Sequence, residues 1–191
     1  MKSFKTLLSA LLLCVIFQIS ANAQGPDKTF TNGTGNNLWQ DDDNWSPSGV
    51  PTEINPSNVL IPENATVEFT NSNAIANILT VEAGAVVTKN GTNTLFTTGG
   101  TFAPTSVLNL VQGQISAGSG TLVFNGEVNV TGEEYKEFAN DIIINGTLNI
   151  PQDQTELRIS SGDFIISETG VMTVGDGLVQ ARPGFGGFFF N

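Results

Sequence analysis

The stretch T-L-V-F-N-G-E-V, Thr121 to Val128, is followed 20 residues later by D-I-I-I-N-G-T-L, Asp141 to Leu148. In both, an apolar residue stands three positions before a glycine and another stands two positions after it. Short apolar runs interrupted by Asn-Gly are typical of β-strands that turn sharply, because glycine adopts a positive φ at no steric cost. The pair therefore predicts short strands separated by tight corners.

The same pattern recurs elsewhere and indicates a loose internal repeat. Six glycines show it in part or whole: Gly84, Gly113, Gly126, Gly146, Gly162 and Gly170. Their spacing is too uneven for a strict solenoid period, but it suits a β-helix whose coils differ in loop length, or a β-sandwich with short turns. We predict strands at 58–61, 78–81, 122–124, 141–144 and 164–166. The charged segment 133–140 is the one place where a short helix or irregular turn is expected.

The N-terminus has the features of a secretory signal peptide. Lys2 and Lys5 precede an apolar run from Leu7 to Ile19, and Ala21 and Ala23 are the small residues of a cleavage site. We predict removal of residues 1–23 and a secreted protein, extracellular or on the outer cell surface. Cleavage would also remove Cys14, which is the only cysteine of the chain.

The composition of the mature chain limits the partners, cofactors and reactions that can be expected of it. Removing Lys2 and Lys5 leaves 5 basic against 18 acidic residues, a net charge of 5 − 18 = −13, so nucleic acid is not an expected partner. No later segment is long and apolar enough for a membrane span. Without histidine or thiol, the usual hydrolase triads and His-based zinc sites are excluded, and no cofactor is expected apart from calcium, discussed below. We predict a protein that is not an enzyme; carboxylate-based glycoside chemistry is the remaining alternative.

Two sets of residues resemble a known class of proteins. The first is Asn44-Trp45, Gly49, Val50-Pro51, Asn58-Val59 and Ile61; the second is the repeat that runs from Gly120 to Leu148. Together they resemble secreted bacterial β-strand-repeat, adhesin-like surface proteins of the kind associated with type IX secretion. The resemblance implies a right-handed parallel β-helix, here of roughly six coils. The sequence from Ala181 to Asn191 does not resemble the C-terminal sorting domain that such proteins often carry.

The segment N-N-L-W-Q-D-D-D-N-W, Asn36 to Trp45, has three interpretations. In the first, the tryptophans are packed in the first corner of the fold, and Asp and Asn side chains cap turn amides. In the second, Asp41, Asp42, Asp43 and Asn44 bind calcium, although the segment lacks the glycine and glutamate of a standard calcium loop. In the third, Trp39 and Trp45, with Tyr135, form a stacking platform for sugar rings.

The chain divides into a signal peptide (1–23), an N-terminal segment with a capping corner (24–57), a strand-repeat domain (58–177) and a Gly/Phe-rich tail (178–191). Phe185, Phe188, Phe189 and Phe190 would cap the last coil or mediate self-association. The expected function is a secreted structural or adhesion module, with extracellular glycans, other surface proteins or further copies as partners. The alternative is a carbohydrate-binding module or a fragment of a β-helix carbohydrate-active enzyme.

Overall fold

The computed structural model describes residues 27–52, 57–70, 73–132, 136–151, 156–176, 178–181 and 185–190, so the predicted signal peptide lies outside the described residues. Of the residues that the structure describes, 64% lie in strands. The only helix in the described ranges is one 3₁₀ turn at Asp42–Asn44. The strands are β1 (Lys28–Phe30), β2 (Trp45–Ser46), β3 (Val59–Ile61), β4 (Thr66–Phe69), β5 (Ala74–Val81), β6 (Val86–Phe102), β7 (Val107–Phe124), β8 (Glu127–Val130), β9 (Lys136–Ile144), β10 (Thr147–Ile150), β11 (Glu156–Ile159), β12 (Gly162–Ile166), β13 (Val171–Val174), β14 (Leu178–Ala181) and β15 (Phe185–Phe190).

The strands stack in parallel, coil upon coil, to form a three-sided solenoid, and the longer strands bend from one side to the next. Face 1 contains β1, β3, the segments 78–81, 100–102, 121–124 and 141–144, and then β12 and β15. Face 2 contains β4, 86–89, 107–110, β8, β10 and β13. Face 3 contains 74–76, 94–96, 113–116, 136–139, β11 and β14.

Register gives the length of each coil. Val107 pairs with Glu127, 20 residues on, and Thr147 pairs with Val171, 24 residues on, so the coils differ in length as the uneven glycine spacing predicted. The solenoid has about five turns. The predicted β-helix is confirmed, and the β-sandwich alternative is wrong, because sandwiches are built from antiparallel sheets whereas these strands pair in parallel with the next coil. The handedness of the coil stays a prediction.

The core is the interior of the coil. Alternate residues of each strand point inward, so that one residue per coil forms a buried column, as in Val67, Val87, Leu108, Val128 and Leu148. Aromatic rings pack along the axis: centroids are 4.6 Å apart for Phe102 and Phe124, and 5.8 Å apart for Phe124 and Phe138. Contact between successive coils thus stabilises the structure, as in other repeat proteins.

The predicted strands are all confirmed, and all five belong to face 1. The helix or irregular turn expected at 133–140 is wrong for its described part, because Lys136–Ile144 is the strand β9. Its first four residues, 136–139, are all buried, and the strand pairs with β7 on one side and with β11 and β12 on the other. Pairing on both edges outweighs the low strand propensity of the charged segment.

The repeat glycines serve two purposes. A positive φ is confirmed for three of them, Gly84, Gly113 and Gly162, but not for Gly126, Gly146 and Gly170. At Gly146, a Cβ atom would lie 1.9 Å from the Gly126 carbonyl oxygen of the preceding coil. At the Asn-Gly corners, glycine is therefore required by the close approach of two coils, and the turn conformation we predicted there is wrong.

The predicted division at residues 177 and 178 does not separate a tail from the solenoid. β14 pairs with β11 and β15 pairs with β12, so both strands continue the stack. At the other end, β1 pairs in parallel with β3 and antiparallel with β2, which joins the N-terminal segment to the first coil.

Candidate functional surface

The two tryptophans close the N-terminal end of the solenoid. Trp39 is fully buried and Trp45 is 3% exposed. Their ring centroids are 4.5 Å apart, Trp39 lies 4.7 Å from Phe69, and Trp45 lies 5.2 Å from Phe30. Nε1 of Trp45 donates to the carbonyl of Trp39 at 2.8 Å. The sugar-platform interpretation is wrong for this pair, because neither ring face is open to solvent, and Tyr135 lies outside the described residues.

The polar side chains between the tryptophans fix this corner. Asn44 is fully buried; its Oδ1 accepts hydrogen bonds from the backbone and hydroxyl of Thr34, and its Nδ2 donates to Asn36 and to the carbonyl of Leu38. Asp41 caps the 3₁₀ turn by accepting from the amide of Asp43 at 3.1 Å. The interpretation as a packed first corner is confirmed.

Two of the three carboxylates of this corner, those of Asp41 and Asp42, accept hydrogen bonds within the protein. Hydrogen bonds from Asn36, the amide of Asp43 and Thr34 lower the pKa of Asp41 below 3.8, since they favour the charged form. Asp42 accepts from the amide of Val50 at 2.8 Å. Among the described residues, no group of three or more acidic side chains is placed to hold a metal ion. Calcium binding at Asp41, Asp42, Asp43 and Asn44 stays a prediction.

A row of stacked asparagines crosses face 2. We define the Asn ladder as Asn109, Asn129 and Asn149, which lie in register on successive coils. Each amide Nδ2 donates to the preceding Oδ1, at 3.3 Å from Asn129 to Asn109 and at 3.1 Å from Asn149 to Asn129. Thr88 and Glu68 continue this outward column towards the N-terminus, and Thr173 continues it towards the C-terminus. The ladder thus provides a regular polar row with a spacing of ~4.8 Å.

Sequence reasoning missed this ladder, although a signal for it is present. Each asparagine stands between two buried aliphatic residues, in the triplets L-N-L (108–110), V-N-V (128–130) and L-N-I (148–150), which recur every 20 residues. Because side chains of a strand alternate in direction, two buried neighbours place the central asparagine outside. A search for an asparagine between two aliphatic residues, repeated at coil spacing, would have found the row.

A second outward row runs beside the ladder on face 2. It consists of Thr66, Val86, Val107, Glu127, Thr147 and Val171, which pair in register. The aliphatic members Val86 and Val107 are half-buried, and the row ends in Val171, which is 54% exposed. Face 2 therefore offers a flat surface in which a polar and a mixed row lie side by side.

Several of the described apolar side chains near the C-terminal end of the solenoid are exposed, whereas the tryptophans at the N-terminal end are buried. Val174 is 38% exposed, whereas Ile150, its partner in the preceding coil, is fully buried. Leu178 is 55% exposed and Phe189 is 43% exposed. The side chains of Phe185, Phe188 and Phe190 are not among those described, so the role of these phenylalanines in assembly stays a prediction.

Carboxylates outside the N-terminal corner also serve local structure. Asp141 accepts from the amide of Asp163 on the next coil at 2.9 Å, and Glu156 pairs with Arg158 at 2.6 Å. A shallow depression is lined by Glu63, Glu82, Ala83 and Ala103, where Glu82 accepts from the amide of Glu63 at 3.0 Å. In each case the carboxylate holds a backbone amide or a neighbouring cation.

Comparison with known proteins gives no relative: no family model, curated protein sequence or solved structure matches the chain. Within the described ranges, no helix is long and apolar enough to cross a lipid bilayer.

Proposed function

We propose that the chain is a secreted structural or adhesion module that acts at the cell surface or outside the cell through a flat face of the solenoid. The observation that carries the proposal is the Asn ladder, a hydrogen-bonded row on face 2 that extends over three coils. A flat, regular array suits an extended partner, such as a polysaccharide strand or another surface protein.

The ladder also reduces the entropic cost of contact with a partner. Each ladder amide is held by its neighbours, so binding would immobilise little additional side-chain freedom. The half-buried valines of the adjacent row add apolar area to a polar surface, a mixture typical of non-obligate interfaces. The predicted signal peptide at residues 1–23, and the net charge of −13 that its removal would leave, fit an extracellular role.

The test uses adhesion to defined surfaces. Mature protein, residues 24–191, would be applied to cellulose particles, chitin particles and beads coated with the same protein, and the bound fraction would be measured. Thr147→Lys introduces a long cation into face 2, whereas Thr101→Lys makes the same change on the outer side of face 1. We expect loss of adhesion with Thr147→Lys and normal adhesion with Thr101→Lys. Equal adhesion of both variants and the native protein, or no adhesion of the native protein to any of the three surfaces, would contradict the proposal.

A carbohydrate-binding role is the second candidate, and one observation favours it. Phe96 on face 3 is 39% exposed, and next to it Thr94 donates to Gln114 of the following coil at 3.1 Å. An accessible ring beside polar side chains can stack on a sugar ring. If this candidate holds, Phe96→Ala will abolish binding of soluble oligosaccharides, while Thr147→Lys will leave it unchanged.

A further inference from the structure

A lysine occupies a core position of the solenoid. Lys89 is 1% exposed and lies in an inward column on face 2, between Phe69 of the preceding coil and Leu110 of the following coil. A charged side chain is rarely buried in this way unless an opposite charge compensates it. Lys89 has no carboxylate partner among the described residues, and its contacts are main-chain oxygens.

The amine fills the corner between faces 2 and 3. Nζ of Lys89 donates to the carbonyl of Gly91 at 2.5 Å and lies 3.4 Å from the carbonyl of Gln112. Gly113 completes the enclosure, because a Cβ atom there would lie 2.8 Å from Nζ and 2.2 Å from the Gly91 oxygen. The corner thus has room for the amine only because residue 113 has no side chain.

Few charged side chains lie on the strands that surround this corner. Glu68 on β4 points outward, and neither β5 nor β7 carries a titratable residue. On β9, one coil beyond β7, Lys136 is buried and donates to the carbonyl of Gly132 at the same corner of a later coil, while Glu137 accepts from Gln114 at 2.6 Å. No described carboxylate compensates the ammonium of Lys89.

We propose that Lys89 is a pH-sensitive element of the fold, a buried ammonium whose loss of a proton in mildly alkaline solution stabilises the solenoid. Burial lowers the pKa of Lys89 from 10.5 to about 8, because the charged form loses its hydration. The unfolded chain keeps its proton up to a higher pH than the folded chain. The contribution of Lys89 to stability is therefore lowest below pH 8 and rises between the folded pKa of about 8 and the unfolded pKa of 10.5. The neutral amine can still donate to the Gly91 carbonyl, so the corner keeps its hydrogen bond.

The first experiment compares urea unfolding at about pH 7 and about pH 9.5 for the native protein and three variants. Linkage predicts that the unfolding equilibrium constant of the native protein falls roughly 30-fold more over this range than that of Lys89→Met. Lys28→Met is the matched control, because the Nζ of Lys28 is exposed and donates to the carbonyls of Pro47 and Ser48. Lys28→Met should show the same change in the unfolding equilibrium constant with pH as the native protein. Lys136→Met shows how much of that change comes from the second buried amine. An identical pH response in the native protein and Lys89→Met would overturn the proposal.

The second experiment needs no variant that folds poorly. The side-chain amines of the native protein can be titrated by NMR through their ¹³Cε and ¹⁵Nζ resonances. A titration midpoint near pH 8 is expected for Lys89. If all lysine midpoints lie at their ordinary value of about 10.4, Lys89 is not the proposed element.

Discussion

Replacement of Trp45 by alanine tests the closure of the N-terminal end. The side chain is 3% exposed, contacts Trp39 and Phe30 edge to face, and donates a 2.8 Å hydrogen bond to the Trp39 carbonyl. Truncation of a buried Trp to Ala costs about 3–5 kcal/mol, and the Trp39 oxygen would also lose its buried partner. We expect the upper part of that range for the decrease in the free energy of unfolding, a large share of the stability of a domain of this size.

The assay is urea unfolding followed by far-UV circular dichroism, which reports on the whole stack of strands. Trp45→Phe retains a ring but loses the hydrogen bond, so it should cost about 1–3 kcal/mol. Phe96→Ala is the control, since this ring is 39% exposed and should contribute much less. A decrease of less than about 1 kcal/mol for Trp45→Ala would refute the view that this ring is a core element of the first coil.

Three further changes test other parts of the structure. Gly146→Ala should lower the free energy of unfolding in urea far more than Gly35→Ala. A Cβ at Gly146 would meet a carbonyl oxygen at 1.9 Å, whereas Gly35 has a positive φ but no neighbour within 4 Å. Equal effects of the two changes would contradict a close contact between coils at Gly146. Asn129→Ala should lower the melting temperature more than Thr101→Ala, since it breaks two ladder bonds; an unchanged melting temperature would show that the ladder does not stabilise the stack. Asp41 stabilises the fold above pH 3.8, and this contribution is lost as the pH falls through its lowered folded pKa. The free energy of unfolding of Asp41→Asn should therefore fall less steeply below pH 3.8 than that of the native protein. Parallel curves for the two proteins would exclude this role.

The sequence predicted the fold because face 1 has the most apolar strands. The five strands expected from apolar runs all lie there, as in the pairing of Val123 with Ile143 and of Ile143 with Ile165. The strands of faces 2 and 3 carry more polar outward residues, such as Asn129 and Glu137, and their apolar signal is shorter. Periodicity alone could not detect the first part of β9, residues 136–140, whose stability comes from pairing with neighbouring coils.

The functional surface was harder to predict than the fold. Two tryptophans beside three aspartates suited a packed corner as well as a calcium or sugar site, and only burial distinguishes a packed ring from an accessible one. Lys89 was overlooked because its neighbours in the sequence do not show that its side chain faces the core. Its pairing with Phe69 in the preceding coil and with Leu110 in the following coil does show this. Glycine patterns located corners but could not separate a positive φ from a close contact between coils, as Gly146 shows.

Face 2 is a straight stack with one residue of each column per coil. Pulsed electron paramagnetic resonance can test it directly, because the mature chain contains no cysteine and spin labels can be attached at Glu68→Cys and Thr173→Cys. These outward positions belong to the Asn-ladder column and are five coil steps apart, through Thr88, Asn109, Asn129 and Asn149. At ~4.8 Å per coil, backbone positions should be about 24 Å apart, and a label pair at positions 68 and 149 should be about 5 Å closer. Distances that do not increase with the number of coils between the labels would contradict the stack and the surface built on it.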